Sequence, residues 1–184
     1  MSDENYEIED LLSNFDKKKE KKKNTSKKKG NRGENELADI FEERFKGKKF
    51  FRVVGSGNRW SQVDLSEEMK GMFTGDIVCP FNFKFVIECK YGYADIEMCG
   101  ILSEGHKQFD EWLKKVRRDA DSLKKFPIVC WRKPRYEWLA FIPYNVFLSQ
   151  FKQSTIFLKY IQEEEWAIMP LNKLLALPND FWFE

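Results

Sequence analysis

The stretch Gly75-Asp76-Ile77-Val78-Cys79-Pro80-Phe81-Asn82-Phe83-Lys84-Phe85-Val86-Ile87-Glu88-Cys89-Lys90 decides the reading of this chain. Ile77-Val78 and Phe83 to Ile87 are apolar runs rich in β-formers, and Pro80-Phe81-Asn82 between them carries turn residues, so the stretch predicts a hairpin. With the turn centred on Asn82, Ile77 faces Ile87 and Cys79 faces Phe85 on one side of the sheet. Asp76 then lies opposite Glu88. Carboxylates placed so, about 5 Å apart at Cβ, repel each other unless a positive charge lies between them. A divalent cation resolves the conflict, because Mg²⁺ takes carboxylate oxygens at about 2.1 Å and keeps several waters. Lys90, two residues past Glu88, shares its face. The alternative is a sheet margin carrying solvated charges.

Working outward, the 184 residues are enough for one domain with an appendage, and 42% apolar content with 16% aromatic fills a core. No run long enough to span a bilayer and no apolar signal region occurs, which predicts a soluble, unexported chain residing in the cytoplasm, that of the host cell if phage-encoded. Cys79, Cys89, Cys99 and Cys130 lack C-x-x-C spacing and read as reduced residues rather than metal ligands. His106 is the only histidine, which argues against a histidine-based zinc centre and a Ser-His-Asp triad.

The net charge of +2 conceals a segregation. Met1 to Asp16 carries six acids and no base, and Lys17 to Lys29 carries nine lysines and Glu20, leaving Gly30 to Glu184 formally neutral. Residues 1–29 therefore read as a disordered acidic then Lys-rich arm. Lys27, Lys28 and Lys29 close it, either as a sequence-independent anchor on DNA or as a solubilising tail or localisation signal. Ile8, Leu11, Leu12 and Phe15 have helical spacing and could engage a protein partner.

From Gly33 to Lys46 the stripe Leu37, Ala38, Ile40, Phe41 and Phe45 predicts an amphipathic helix. At about 100° per residue Glu34 falls on that stripe and Glu36 on the wet face. Glu34 either complements the helix dipole or points at the same cation as the hairpin. Phe50 to Val54 reads as a strand. The following Gly55-Ser56-Gly57-Asn58-Arg59-Trp60 reads as a loop whose backbone can approach a phosphate, with charge from Arg52 and Arg59. Tyr91 to Ile101 reads as irregular. A long helix follows, capped by Ser103, with a stripe of Leu102, His106, Phe109, Leu113, Val116, Ala120 and Leu123. His106 is structural on this reading, and Lys107 and Gln108 are placed to reach a phosphate. Strands at Pro127 to Trp131 and Tyr136 to Phe141 flank a basic turn. Beyond Tyr144 come a short helix, strands at Ile156 to Ile161 and Trp166 to Met169, and a helix at Leu171 to Leu177. The order predicts an α/β fold with a mixed central β-sheet flanked by helices. A core over 30–143 is followed by a small C-terminal extension over 144–184, packing on the core or on a dimer partner.

The ordered set Gly30-Asn31-Arg32-Gly33-Glu34-Asn35-Glu36-Leu37, Val53 to Gly57, Gly75-Asp76-Ile77-Val78 and Phe85-Val86-Ile87-Glu88-Cys89-Lys90 resembles the PD-(D/E)XK nuclease superfamily, in particular the archaeal-type Holliday junction resolvases and their phage relatives. The resemblance covers about Gly30 to Phe141 and implies a restriction-endonuclease-like fold. It implies that Asp76 and Glu88 bind Mg²⁺, with Mn²⁺ able to substitute, that the Cys89 carbonyl is a further ligand, and that Glu34 completes the site. Lys90 would orient or help deprotonate the attacking water and offset charge in the transition state, and Ser56 would lie near the scissile strand. The implied reaction is hydrolysis of a phosphodiester in four-way or branched DNA by a homodimer, leaving a 5′-phosphate and a 3′-hydroxyl. Two departures bear on junction specificity: a longer segment between the serine loop and Asp76, and the added tail. The alternatives are a nicking, restriction-like or exonucleolytic enzyme, and a catalytically silent DNA-binding protein of the same fold.

Overall fold

The computed structural model describes residues 27–53, 73–103, 105–148, 157–161 and 164–184. Helix α1 spans 27–44. Short strands β1 (Phe51–Arg52) and β2 (Ile77–Val78) pair antiparallel with each other. Then come β3 (Phe85–Tyr91), α2 (Met98–Ser103), α3 (Lys107–Ser122), β4 (Phe126–Arg132), β5 (Leu139–Pro143), α4 (Tyr144–Leu148), β6 (Phe157–Ile161), β7 (Glu164–Pro170), α5 (Leu171–Leu175) and α6 (Asn179–Trp182). The main sheet has the order β3-β4-β5-β7-β6. β3 and β4 are parallel, joined by the α2–α3 crossover that a parallel pair requires, and the other pairs are antiparallel. This is the mixed α/β class the sequence predicts.

Period-two alternation divides the core into two layers. Phe85, Ile87 and Cys89 of β3 join Ile128 and Cys130 of β4 and Ala167 and Met169 of β7 on the face covered by α1, α5 and α6. Val86, Val129, Trp131, Phe141, Trp166 and Ile168 point the other way, onto Phe109, Trp112, Leu113 and Val116 of α3. Glu88 and Lys90, in phase with Val86, therefore face α3.

Several expectations are corrected. The stretch from Gly75 to Lys90 is not a paired hairpin: Ile77 pairs with Arg52 rather than Ile87. The turn is tightened by Phe83 N–H donating to the Pro80 carbonyl at 3.0 Å, so regular extension resumes only at Phe85. What survives is one crossing, Asp76 N–H to the Ile87 carbonyl at 2.9 Å. Ile77, Cys79, Phe85 and Ile87 still share a face.

Helix α1 already includes Lys27, Lys28 and Lys29, which are exposed on its first turn rather than in an arm preceding it. Lysine is a good helix former, and the cost of Gly30 and Gly33, about 1 kcal/mol each, is offset by the buried stripe downstream. Glu36 is not on a wet face, because Trp138 Nε1 donates to its Oε1 at 3.1 Å and Arg132 also donates to it. Ser103 does not cap α3: its hydroxyl donates back to the Cys99 carbonyl at 2.9 Å at the end of α2. Gly105, at φ +82°, ends α2, so Leu102 and His106 leave the stripe, which begins at Phe109. Residues 98–101, which the sequence reading leaves irregular, are helical within α2, with Ile101 buried. The strand expected to begin at Tyr136 begins at Leu139. The serine loop with Ser56 and Arg59 lies outside the described residues, as does the chain before residue 27.

The segment after residue 143 is built into the fold. β7 lies between β5 and β6, and Trp182 stacks on Phe83 with centroids 5.8 Å apart amid Phe41, Phe45 and Phe85. Removing so large a buried ring leaves a cavity that rigid aromatic neighbours fill poorly. Trp182→Ala is expected to lower stability by about 3–5 kcal/mol, read as the shift in a urea unfolding midpoint. A change within about 1 kcal/mol would place the tail outside the folding unit.

Candidate active site

Glu88 is the one buried charged residue among the described residues, 1% exposed. A carboxylate so placed needs compensating charge and hydrogen bonds. It has both: Lys90 Nζ donates to Oε1, and Lys115 Nζ donates to Oε2 at 2.6 Å. Lys90 also lies 3.8 Å from Asp76 Oδ2 and 5.9 Å from the centre of the Trp112 ring. Asp76 is fixed at both ends: its amide donates to the Ile87 carbonyl, and its Oδ2 accepts the Cys89 amide at 2.7 Å. Asp76 and Glu88 thus converge as expected, though through a side-chain bond to β3 rather than a strand register.

Helix α1 brings in Glu34. At Gly33 an added Cβ would come 2.3 Å from Tyr91 Cβ, so only glycine lets the helix lie against the end of β3. Glu34 Oε2 is buried with no hydrogen-bond partner among the described residues, and the Arg52 guanidinium stands 3.7 Å away. Arg52, expected on a phosphate, is engaged by Glu34 and donates to Asn31 Oδ1 at 3.4 Å.

The electrostatics bear on both acids. Burial raises the pKa of Asp76, Glu88 raises it further, and Lys90 and the Cys89 amide pull the other way. Burial also raises Glu34, and Asp76 adds to that. Their charged forms are under-compensated by the protein's own groups. Lys90 is pulled down by burial, but Glu88 and Asp76 outweigh this and hold it above its ordinary value. As held here it stays an ammonium, suited to orienting water and offsetting charge rather than to taking a proton.

Among the described residues, no group of three or more His, Cys, Asp or Glu side chains stands ready to hold a metal ion. The donor chemistry nevertheless fits a hard cation. Asp76, Glu88 and the Cys89 carbonyl offer oxygen alone, two carboxylates suffice for an ion that keeps its waters, and Glu34 presents a buried oxygen that has the Arg52 ion pair but no hydrogen bond among the described residues.

Lys115 escapes the sequence reading, as does Trp112. A signal existed: Lys115 stands seven residues after Gln108, hence on the same helix face. Both line an open cleft of about 840 Å³ with Glu88, Lys90, Lys114 and Arg118. Lys114, Lys115, Arg117 and Arg118, with Glu111 among them, thus give the cleft a mainly basic wall that reaches Glu88. Gln108 is exposed in the first turn of α3 and makes none of the cluster's hydrogen bonds among the described residues. Cys79, Cys89, Cys99 and Cys130 are free, and burial pushes the Cys79 thiol up to about 12, an unreactive core group. No helix among the described residues is long and apolar enough to cross a membrane.

A family model described as "Phage putative PDDEXK endonuclease" matches residues 25–178. Protein D14 of Escherichia phage T5 is 29% identical over 118 residues, covering 62% of this chain and 68% of that protein. The solved structure of Archaeoglobus fulgidus Hjc, a Holliday junction resolvase from an archaeal hyperthermophile, is similar with a TM-score of 0.38 and 16% identity. That match covers 77% of this chain and 86% of the other.

Proposed function

The chain belongs to the phage PDDEXK endonuclease family, and on that premise we propose that it is a Mg²⁺-dependent, structure-specific endonuclease that resolves four-way or branched DNA as a homodimer. The observation that carries the nuclease site is the seating of Asp76 Oδ2 on the Cys89 amide, which sets Asp76 beside Glu88 and Lys90 where the basic cleft ends. The junction preference and the dimer rest on the ordered resemblance of Gly30 to Phe141 to the resolvases.

Asp76, Glu88 and the Cys89 carbonyl would hold the cation, with Glu34 completing the shell, and Mn²⁺ can take the same place. When bound, the cation supplies Lewis acidity at the phosphoryl oxygen. The chain's own groups supply the rest. Lys90, an ammonium pinned between two carboxylates, holds positive charge where the phosphoryl oxygens become more negative, and it costs no reorganisation. Asp76 and Glu88 fix Lys90 in place. Lys114 and Arg118 take the phosphates of the strand along the cleft, positioning it without reading its bases. Lys27, Lys28 and Lys29, exposed on the first turn of α1, add phosphate contacts that are independent of sequence. The products are a 5′-phosphate and a 3′-hydroxyl, and the reaction takes place in the cytoplasm of the cell that makes the protein.

The test is incubation with a labelled four-way junction and its matching linear duplex, in Mg²⁺ and in EDTA. Paired, symmetric nicks in the junction alone, lost in EDTA, are expected. Cutting of both substrates keeps the nuclease and removes the junction preference in favour of a nicking, restriction-like or exonucleolytic enzyme. Shifted bands with no cutting in any metal overturn the catalytic reading in favour of a silent DNA-binding protein.

A further inference from the structure

We infer that Lys115 is a displaceable counter-ion built into the site: it holds Glu88 Oε2 until a divalent cation takes that oxygen, and then turns into the cleft to bind a phosphate of the DNA strand. This rests on the metal-dependent nuclease reading and adds to it a residue coupling metal entry to substrate binding.

Both oxygens of Glu88 already accept from an ammonium, so a cation that binds this carboxylate competes with both lysines for its negative charge. The two lysines differ in their freedom to leave. Lys90 has 16% of its side chain exposed and is held by Glu88, by Asp76 at 3.8 Å and by the Cys89 carbonyl at 3.4 Å. Lys115 has 46% exposed, reaches Glu88 from the neighbouring helix, and has a second carboxylate, Asp119 Oδ2, at 3.2 Å to receive it. Its position on the cleft wall between Lys114 and Arg118 means that a small rotation outward adds it to a row of phosphate-binding groups. Charge bookkeeping points the same way. Arg52, Lys90 and Lys115 face four carboxylates, Glu34, Asp76, Glu88 and Asp119, so a divalent cation arriving without the departure of an ammonium would turn one net negative charge into an excess of positive charge beside a buried carboxylate. Releasing Lys115 into the cleft moves that excess to where a phosphate meets it.

A lysine that merely props Glu88 in position and one that competes for its oxygen make opposite demands on metal affinity. The experiment is calorimetric titration of the full chain with Mg²⁺, repeated with Ca²⁺, for the parent, Lys115→Gln and Lys115→Arg. Lys115→Gln is expected to bind Mg²⁺ about tenfold more tightly, because a competing charge a few ångströms from the ion is gone. Its affinity for junction DNA in Ca²⁺ should fall, with a smaller salt slope by about one phosphate contact. Lys115→Arg keeps the charge and should stay near the parent in both measurements. Thermal unfolding of each variant establishes that it is folded before titration. Unchanged or weaker Mg²⁺ binding by folded Lys115→Gln overturns the inference, and so does an unchanged salt slope. If the parent itself binds no Mg²⁺ and cuts nothing, the nuclease reading fails, which is distinct from a parent that binds and cuts while Lys115→Gln binds no better.

Discussion

Asp76→Asn is expected to lose cleavage by about a thousandfold or more while the protein becomes more resistant to heat. The first half follows from the metal-holding role proposed for the carboxylate: an amide oxygen is a poor ligand for a hard divalent cation, and the Lewis acidity at the phosphate would go with the metal. The second half follows from its surroundings. Burial and Glu88 together raise the Asp76 pKa above its ordinary value. A carboxyl whose folded pKa is raised favours the fold below its unfolded value, and that contribution is lost as pH rises through the folded one. Ionising the group above its folded pKa is thus a cost that a neutral amide removes. Asparagine can still accept the Cys89 amide through Oδ1, so the loop stays seated. The gain is read from thermal unfolding in EDTA, where each kcal/mol moves the midpoint by about 2–4 °C. Glu88→Gln differs instructively. It loses cleavage too, but Lys90 and Lys115 lose their shared counter-ion, so its stability should fall rather than rise. Cleavage retained by Asp76→Asn, or a lower midpoint in EDTA, would remove Asp76 from the role given to it here.

How much of this was legible in the sequence varies with the range of the forces involved. The alternation of Phe85, Ile87 and Cys89 against Val86, Glu88 and Lys90 is a local consequence of strand geometry, and it places the acid and the lysine on one face. Glu34 was legible for a similar reason, from its phase on the α1 stripe. The partner of β2 was not: a strand of two residues carries too little pattern to choose between β1 and β3, and the choice was made by tertiary packing. Lys115 was hidden because a lysine beside an apolar stripe ordinarily reads as solvated. Only the carboxylate buried beneath it, on an element distant in sequence, gives it a task. The tail read as helix, strand, strand and helix, which misses α6 at Asn179–Trp182, and its membership of the main sheet depends on pairings of β7 with β5 and β6 that no local pattern encodes.

Gly75 turns this geometry into a second demanding experiment. Its φ of +90° is a conformation in which L side chains are strained, and an added Cβ would come 2.6 Å from the Ile87 carbonyl oxygen and 3.0 Å from Val86 Cγ1. That carbonyl accepts the Asp76 amide, so the collision falls on the contact that seats the next residue. In Gly75→Ala the segment has to move off β3, taking Asp76 away from the Cys89 amide and from Lys90. We expect stability to fall by at least about 2 kcal/mol and cleavage by about a hundredfold, the penalty of roughly 1 Å of misplacement at a reacting centre. DNA binding should persist, because the phosphate contacts proposed for the strand lie along α3. Gly47→Ala supplies the control. Gly47 has a similar φ of +84°, but an added Cβ meets nothing within 4 Å, so it isolates backbone strain from collision. It should cost about 1 kcal/mol and leave cleavage intact. If Gly75→Ala cuts at the parent rate while folded, Asp76 does not depend on this crossing for its position. If Gly47→Ala loses activity equally, the loss reports general destabilisation rather than the displacement of one carboxylate.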